Sequence, residues 1–164
     1  MEEINSTVTP QFDGELSFKN TRKKVFRIDE DNNRFIQLNT SDLGAVTRLR
    51  DIYPKLSETV GKYADLKVSE LDDENSIAEE DMNKIADAIQ DMDSEVRGII
   101  DYIFDSNVSS VCAPEGTMFD MFNGQFRFEI IMEEIFKLYE SNLSLEYRKM
   151  KARIDSKAKK YTGR

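Results

Sequence analysis

Apolar residues alternate in one part of this chain and recur at helical spacing in three others. Lys23-Lys-Val-Phe-Arg-Ile28 and Arg34-Phe-Ile-Gln-Leu38 are short β-prone runs. The polar Asp29-Glu-Asp-Asn-Asn33 separates them, which predicts a hairpin around a five-residue loop. Leu16 and Phe18 are candidates for a third strand. Next, Asn39-Thr-Ser-Asp42 supplies side chains able to accept from the first-turn N–H groups of a helix. Leu43, Val46, Leu49 and Ile52 follow in steps of three and mark that helix. Pro54 should end or kink it near Ile52–Tyr53, with a second piece carrying Leu56, Val60, Tyr63 and Leu66.

Residues 67–75 read as an acidic connector. Ser76-Ile-Ala-Glu79 is a capping box, with a hydroxyl at the N-cap and a carboxylate three positions on. It opens the most regular pattern in the chain: Ile85, Ile89, Met92, Val96, Ile99 and Ile103, widened by Ile100 and Phe104. This predicts a helix from 77 to about 104. Its opposite face holds Glu79, Glu80, Asp87, Asp91 and Glu95, and the acid near its start suits the helix dipole.

Residues 105–124 break the pattern with Pro114, Gly116 and Gly124, leaving room for a short helical turn at 106–111. Within them Met118, Phe119, Met121 and Phe122 form an apolar cluster in an expected loop. Such residues are either tucked under the core or offered to a partner as an adaptable docking patch. The last helix starts near Gln125–Phe128. Phe128, Ile131, Ile135 and Leu138 or Tyr139 form its first stripe, and Leu143, Tyr147, Met150, Ile154, Ala158 and Tyr161 extend it. At 1.5 Å per residue it is ~50 Å long, more than a small core can cover.

The expected fold is therefore mainly α, with an α+β character: a helical bundle with a small N-terminal β-hairpin and a long C-terminal helix. Residues 1–22 are expected to be loosely ordered, 23–140 to form the hairpin and helical core, and 141–164 to extend the terminal helix.

Charge adds a second pattern. The chain of 164 residues has a net charge of −9, unevenly spread. Residues 1–64 carry 10 acids and 10 bases, 65–95 carry 12 and 2, 96–140 carry 8 and 3, and 141–164 carry 2 and 8. An acidic middle and a basic tail suit self-association or docking to a charged partner. The candidate partner-binding residues are Met118, Phe119, Met121 and Phe122 in the loop, with Arg148, Met150, Lys151 and Ile154 on the tail.

Composition excludes much chemistry. There is no His, so no His-based triad or imidazole ligand, and a single Cys gives neither an internal disulfide nor a Cys-rich zinc site. Asp29-x-Asp31-x-Asn33 opens like a calcium loop, but Arg34 and Thr40 stand where Gly and Glu are needed. No clustered glycines precede a helix to cradle phosphate. Cys112, with no base to activate it, reads as a small buried apolar residue. No catalytic, cofactor or metal site is expected, and the protein reads as a non-enzyme. Nucleic acid is not an expected partner, because no base-reading motif accompanies the basic tail. The start lacks a basic, apolar export signal and no run spans a bilayer, so no membrane is expected and the compartment is read as cytoplasmic.

Three stretches carry a resemblance. They are Arg34-Phe-Ile-Gln-Leu-Asn39 followed by Ser41-Asp42 and a helix, Ile99-Ile-Asp-Tyr-Ile-Phe104 followed by Val108-Ser-Ser-Val-Cys112, and Asn123-Gly-Gln-Phe-Arg-Phe128 leading into the last helix. Lys160-Tyr-Thr-Gly-Arg164 closes the chain. Together, over roughly residues 24–164, they resemble the small acidic tail-assembly chaperones of long-tailed phages and prophages of Gram-positive bacteria. That family pattern places Gly after Phe104, where this chain has Asp105. The resemblance implies a transient helper that coats the long, apolar tape-measure protein and helps recruit tail-tube subunits, in the cytoplasm of the bacterial host. The competing expectation is a tail or connector component retained in the virion.

Overall fold

A computed structural model of the chain describes residues 9–17, 23–66 and 79–162. Outside these lie most of the expected N-terminal segment, Phe18 of the suggested third strand, the acidic connector and Ser76 of the capping box. The fold is mainly α with a small β component. The elements run β1 (Lys24–Ile28), β2 (Asp31–Leu38), α1 (Gly44–Asp65), α2 (Glu79–Phe104), α3 (Val108–Cys112), β3 (Met121–Phe122), β4 (Gln125–Phe126) and α4 (Arg127–Thr162).

β1 and β2 form the expected hairpin, with Lys24 opposite Leu38 and Phe26 opposite Ile36. Its turn is tighter than the five residues expected. Asp29 and Glu30 both take positive φ, 49° and 59°, the conformation of a two-residue hairpin turn. Asp31–Asn33 therefore continue as strand, and a bulge between Arg27 and Ile28 absorbs the offset. Alternation puts Ile36 and Leu38 in the core and Val25 and Phe35 outside. Leu16 is exposed and in no strand.

α1 differs from expectation at Pro54, which neither ends nor divides it. Proline cannot return a hydrogen bond to the carbonyl one turn earlier. Here it sits on the exposed side, while Leu49, Ile52, Leu56 and Thr59 on both sides of it pack inward. At the start, Asp42 Oδ1 accepts from the Gly44 N–H at 2.8 Å, and its other oxygen takes Arg48 Nη2 at 2.7 Å. Arg48 Nε also donates to the Ile103 carbonyl at 2.8 Å. One guanidinium thus ties the first turn of α1 to the last turn of α2, where carbonyls lack helical partners.

α2 buries Met92, Val96, Ile99, Ile100, Ile103 and Phe104, as its spacing predicts. Asp105 ends it with φ 47°, a left-handed residue of the kind Gly adopts at least cost. α4 is 36 residues long and ~54 Å from end to end. Its first four turns bury Phe128, Ile131, Ile135 and Tyr139 in the core, with Phe104 of α2 touching Phe136 and Tyr139 at ring distances of 5.1 and 5.8 Å. Asn142 is its last buried residue, accepting from Lys24 Nζ and donating to Ser41 Oγ. From Ser144 through Lys160 every residue is exposed.

Candidate functional site: an apolar face across α1 and α4

The loop cluster predicted for docking is divided by the fold. Met118 and Phe119 are buried, Phe119 to 3% exposure, whereas Phe122 keeps 46% and Met121 is also exposed. The first pair is corrected from patch to core. Phe119 stacks on Tyr63 at 4.6 Å and meets the edges of Phe126 and Phe128. Polar anchors let a loop lie inside. Asp93 Oδ1 accepts the Met118 N–H at 2.6 Å, and the Met118 carbonyl accepts from Phe128 N–H at 3.1 Å.

Arg97 completes that anchor. It pairs with Asp93 at 2.8 Å and donates to the carbonyls of Ser109, Ala113 and Gly116. Gly116 takes φ 74°, and a Cβ there would run into the Asp120 carboxylate. Asp101 holds α3 by accepting from both the N–H and the hydroxyl of Ser109. Sequence spacing treats Asp93 and Asp101 as ordinary helix acids, and only the folded loop shows their task.

Met121 and Phe122 form β3 and pair with β4 across Asn123 and Gly124, whose φ values are 52° and 78°. Asn-Gly is the standard sequence of such a turn, so this small hairpin had a readable signal. Phe122 is partly engaged at home, with the Arg127 guanidinium 5.2 Å above its ring.

The larger apolar surface lies at the other end of the molecule. Leu43 and Val46, expected on the core stripe, face outward, with Leu43 at 64% exposure. The reason is geometric: steps of three residues fall about 60° short of a full turn each, so Leu43 and Ile52 end up about 180° apart. Beside them α4 presents Leu143, half-buried, then Tyr147 at 61% exposure, Met150 and Ile154. Two open grooves run between these rows. One of about 650 Å³ is lined by Leu43, Leu143, Tyr147 and Met150 together with the charged Glu146, Lys149 and Arg153. The other, about 540 Å³, is lined by Val46, Phe136, Tyr139, Leu143 and Tyr147 together with Glu140 and Ser144. Of the predicted tail residues, Met150 lines the first groove, and Arg148, Lys151 and Ile154 are exposed on the same helix. The loop pair Met121 and Phe122 is not among the residues lining either groove.

The hydrogen bond from Arg48 holds Asp42 below the usual carboxylate range. Thr59 does the same for Glu95, with Lys55 3.4 Å away. Burial pushes the Cys112 thiol up to about 11, away from the thiolate form. Among the described residues no group of His, Cys, Asp and Glu is arranged to hold a metal ion, and no helix is long and apolar enough to cross a membrane. Compared with known proteins, the chain matches no family model, no curated protein and no solved structure.

Proposed function

We propose that this protein is a non-enzymatic assembly helper of the phage tail-assembly-chaperone kind. It binds the long, apolar tape-measure protein, keeps that protein's helices covered, and helps recruit tail-tube subunits around it. The observation that carries this reading is the paired groove between α1 and α4. Its exposed Leu43, Val46, Tyr147 and Met150 stand at two rows of helical spacing, which suits an apolar helix laid between them. Charged residues interspersed in the lining, Glu146, Lys149 and Arg153 among them, keep such a face soluble while it is empty. The sequence resemblance supports the same reading and supplies the client.

Co-expression with a tape-measure protein tests it. The wild-type chain is expected to carry that protein into the soluble fraction, and Leu43→Asp with Tyr147→Asp to lose at least ~10-fold of this capture while remaining helical. A client equally soluble with either form contradicts the reading. Mass spectrometry of purified virions separates the rival role: a stoichiometric amount of this chain in the particle identifies a retained structural component instead of a transient helper.

A further inference from the structure

The acidic start of α2 and the basic end of α4 lie at opposite ends of the molecule. α1 runs antiparallel to α2, since Arg48 reaches the Ile103 carbonyl while Thr59 reaches Glu95, and Leu66 shares a groove with Ala88 and Met92. α4 runs alongside α2 in the same direction. Phe128 lies near Phe119 and so near Tyr63, toward the start of α2, whereas Phe136 and Tyr139 touch Phe104 at its end. The start of α2, Glu79 to Asp87, thus extends toward one end and the last turns of α4 toward the other. The α2 overhang is ~14 Å long and the α4 overhang ~30 Å.

These overhangs are complementary. The α2 overhang carries exposed Glu79, Glu80, Asp81 and Asp87 against one base, Lys84, and the α4 overhang carries Arg148, Lys149, Lys151, Arg153, Lys157, Lys159 and Lys160 against Glu146 and Asp155. Each also has an apolar element: Met82, 56% exposed, with half-buried Ile85 on α2, and Ile154 on α4 between Lys151, Arg153 and Lys157. Because α4 leaves the core pointing away from the start of α2, a tail cannot fold back onto the acidic end of its own molecule.

We infer that the basic outer half of α4 docks on the acidic start of α2 in a second copy of the chain, giving a head-to-tail assembly. Such a contact joins two different surfaces, so a joined pair still has one free tail and one free acidic end. The assembly grows beyond a dimer as an open chain or closes as a ring. The opposed charges, all at exposed positions, make it salt-sensitive.

Sedimentation velocity on the full chain tests this without any variant. The 19.0 kDa monomer should give species larger than a dimer as concentration rises in 50 mM NaCl, and return to monomer near 1 M. A monomer at all concentrations, or a series that stops at a dimer, overturns the inference. Two reversals then locate the contact: Lys151→Glu, Arg153→Glu and Lys157→Glu on the tail, and Glu80→Lys, Asp81→Lys and Asp87→Lys on α2. Each reversed protein alone should be monomeric, and their equimolar mixture should assemble again, because each then offers the charge the other lacks. Assembly by the α2-reversed protein alone would mean that tails pair with tails, and a mixture that stays monomeric would mean that these charges do not meet. Either result overturns the proposal.

Discussion

Asp42 and Arg48 show how a few polar contacts hold one end of the fold in shape. Asp42 bonds the Gly44 N–H and Arg48, and Arg48 bonds the end of α2. The carboxyl titrates below its ordinary 3.8, first because Arg48 donates to it and then because Gly44 does, against the opposing pull of burial. A depressed folded-state value means stability that is present above the unfolded-state value and lost as pH falls through the folded one. Asp42→Asn is therefore expected to cost about 1–3 kcal/mol at pH 7. The gap to wild type should narrow in urea titrations as pH falls below 3.8, and close once pH lies below the depressed folded-state value, where both side chains are neutral. A gap constant from pH 7 to pH 2 would contradict this. Phe119 and Phe122 make the second contrast. Phe119→Ala removes a stacked, buried ring and should cost about 3–5 kcal/mol, whereas Phe122→Ala should stay within about 1 kcal/mol by the same titration.

Among the elements, α4 divides its work at Asn142. Before it the helix is core, and from Ser144 to Lys160 every residue is exposed. Ending the chain after Ser144 should change the unfolding free energy by less than about 1 kcal/mol while removing self-association. A large drop in stability would show that the tail supports the core. The extent of this helix was legible, because its apolar steps of three and four persist and an over-long helix is visible as a length. The stripe of α2 was legible for the same reason. Pro54 was misjudged, since a local rule about a missing N–H says nothing of the packing on either side of it. Leu43 and Val46 were misjudged because steps of three look like one face but rotate steadily away from it. Met118 and Phe119 were open to two readings, and the deciding contacts come from Asp93 and Arg97, some 20 residues earlier in the chain, which no local pattern couples to that loop. The two-residue turn at Asp29 and Glu30 was hidden by the polar Asp31–Asn33, which look like loop and pair as strand.

Across the whole molecule, the helices bring two rows of exposed apolar residues together at one end and set opposite charges at opposite ends. Neither arrangement is visible in the net charge of −9. The first offers a place for an apolar helix, and the second a way for copies to line up along something long. A row of copies joined head to tail, each presenting a groove, is a form suited to covering an extended helical client. The grooves are the central claim, and hydrogen exchange of the chain with and without a tape-measure protein, the proposed client, tests them most directly. Binding should slow exchange at least ~5-fold in peptides covering 43–50 and 143–154, as their opening becomes linked to client release, and leave β3 and β4 unchanged. Protection confined to 118–126, or none at all in a soluble complex, would contradict the account.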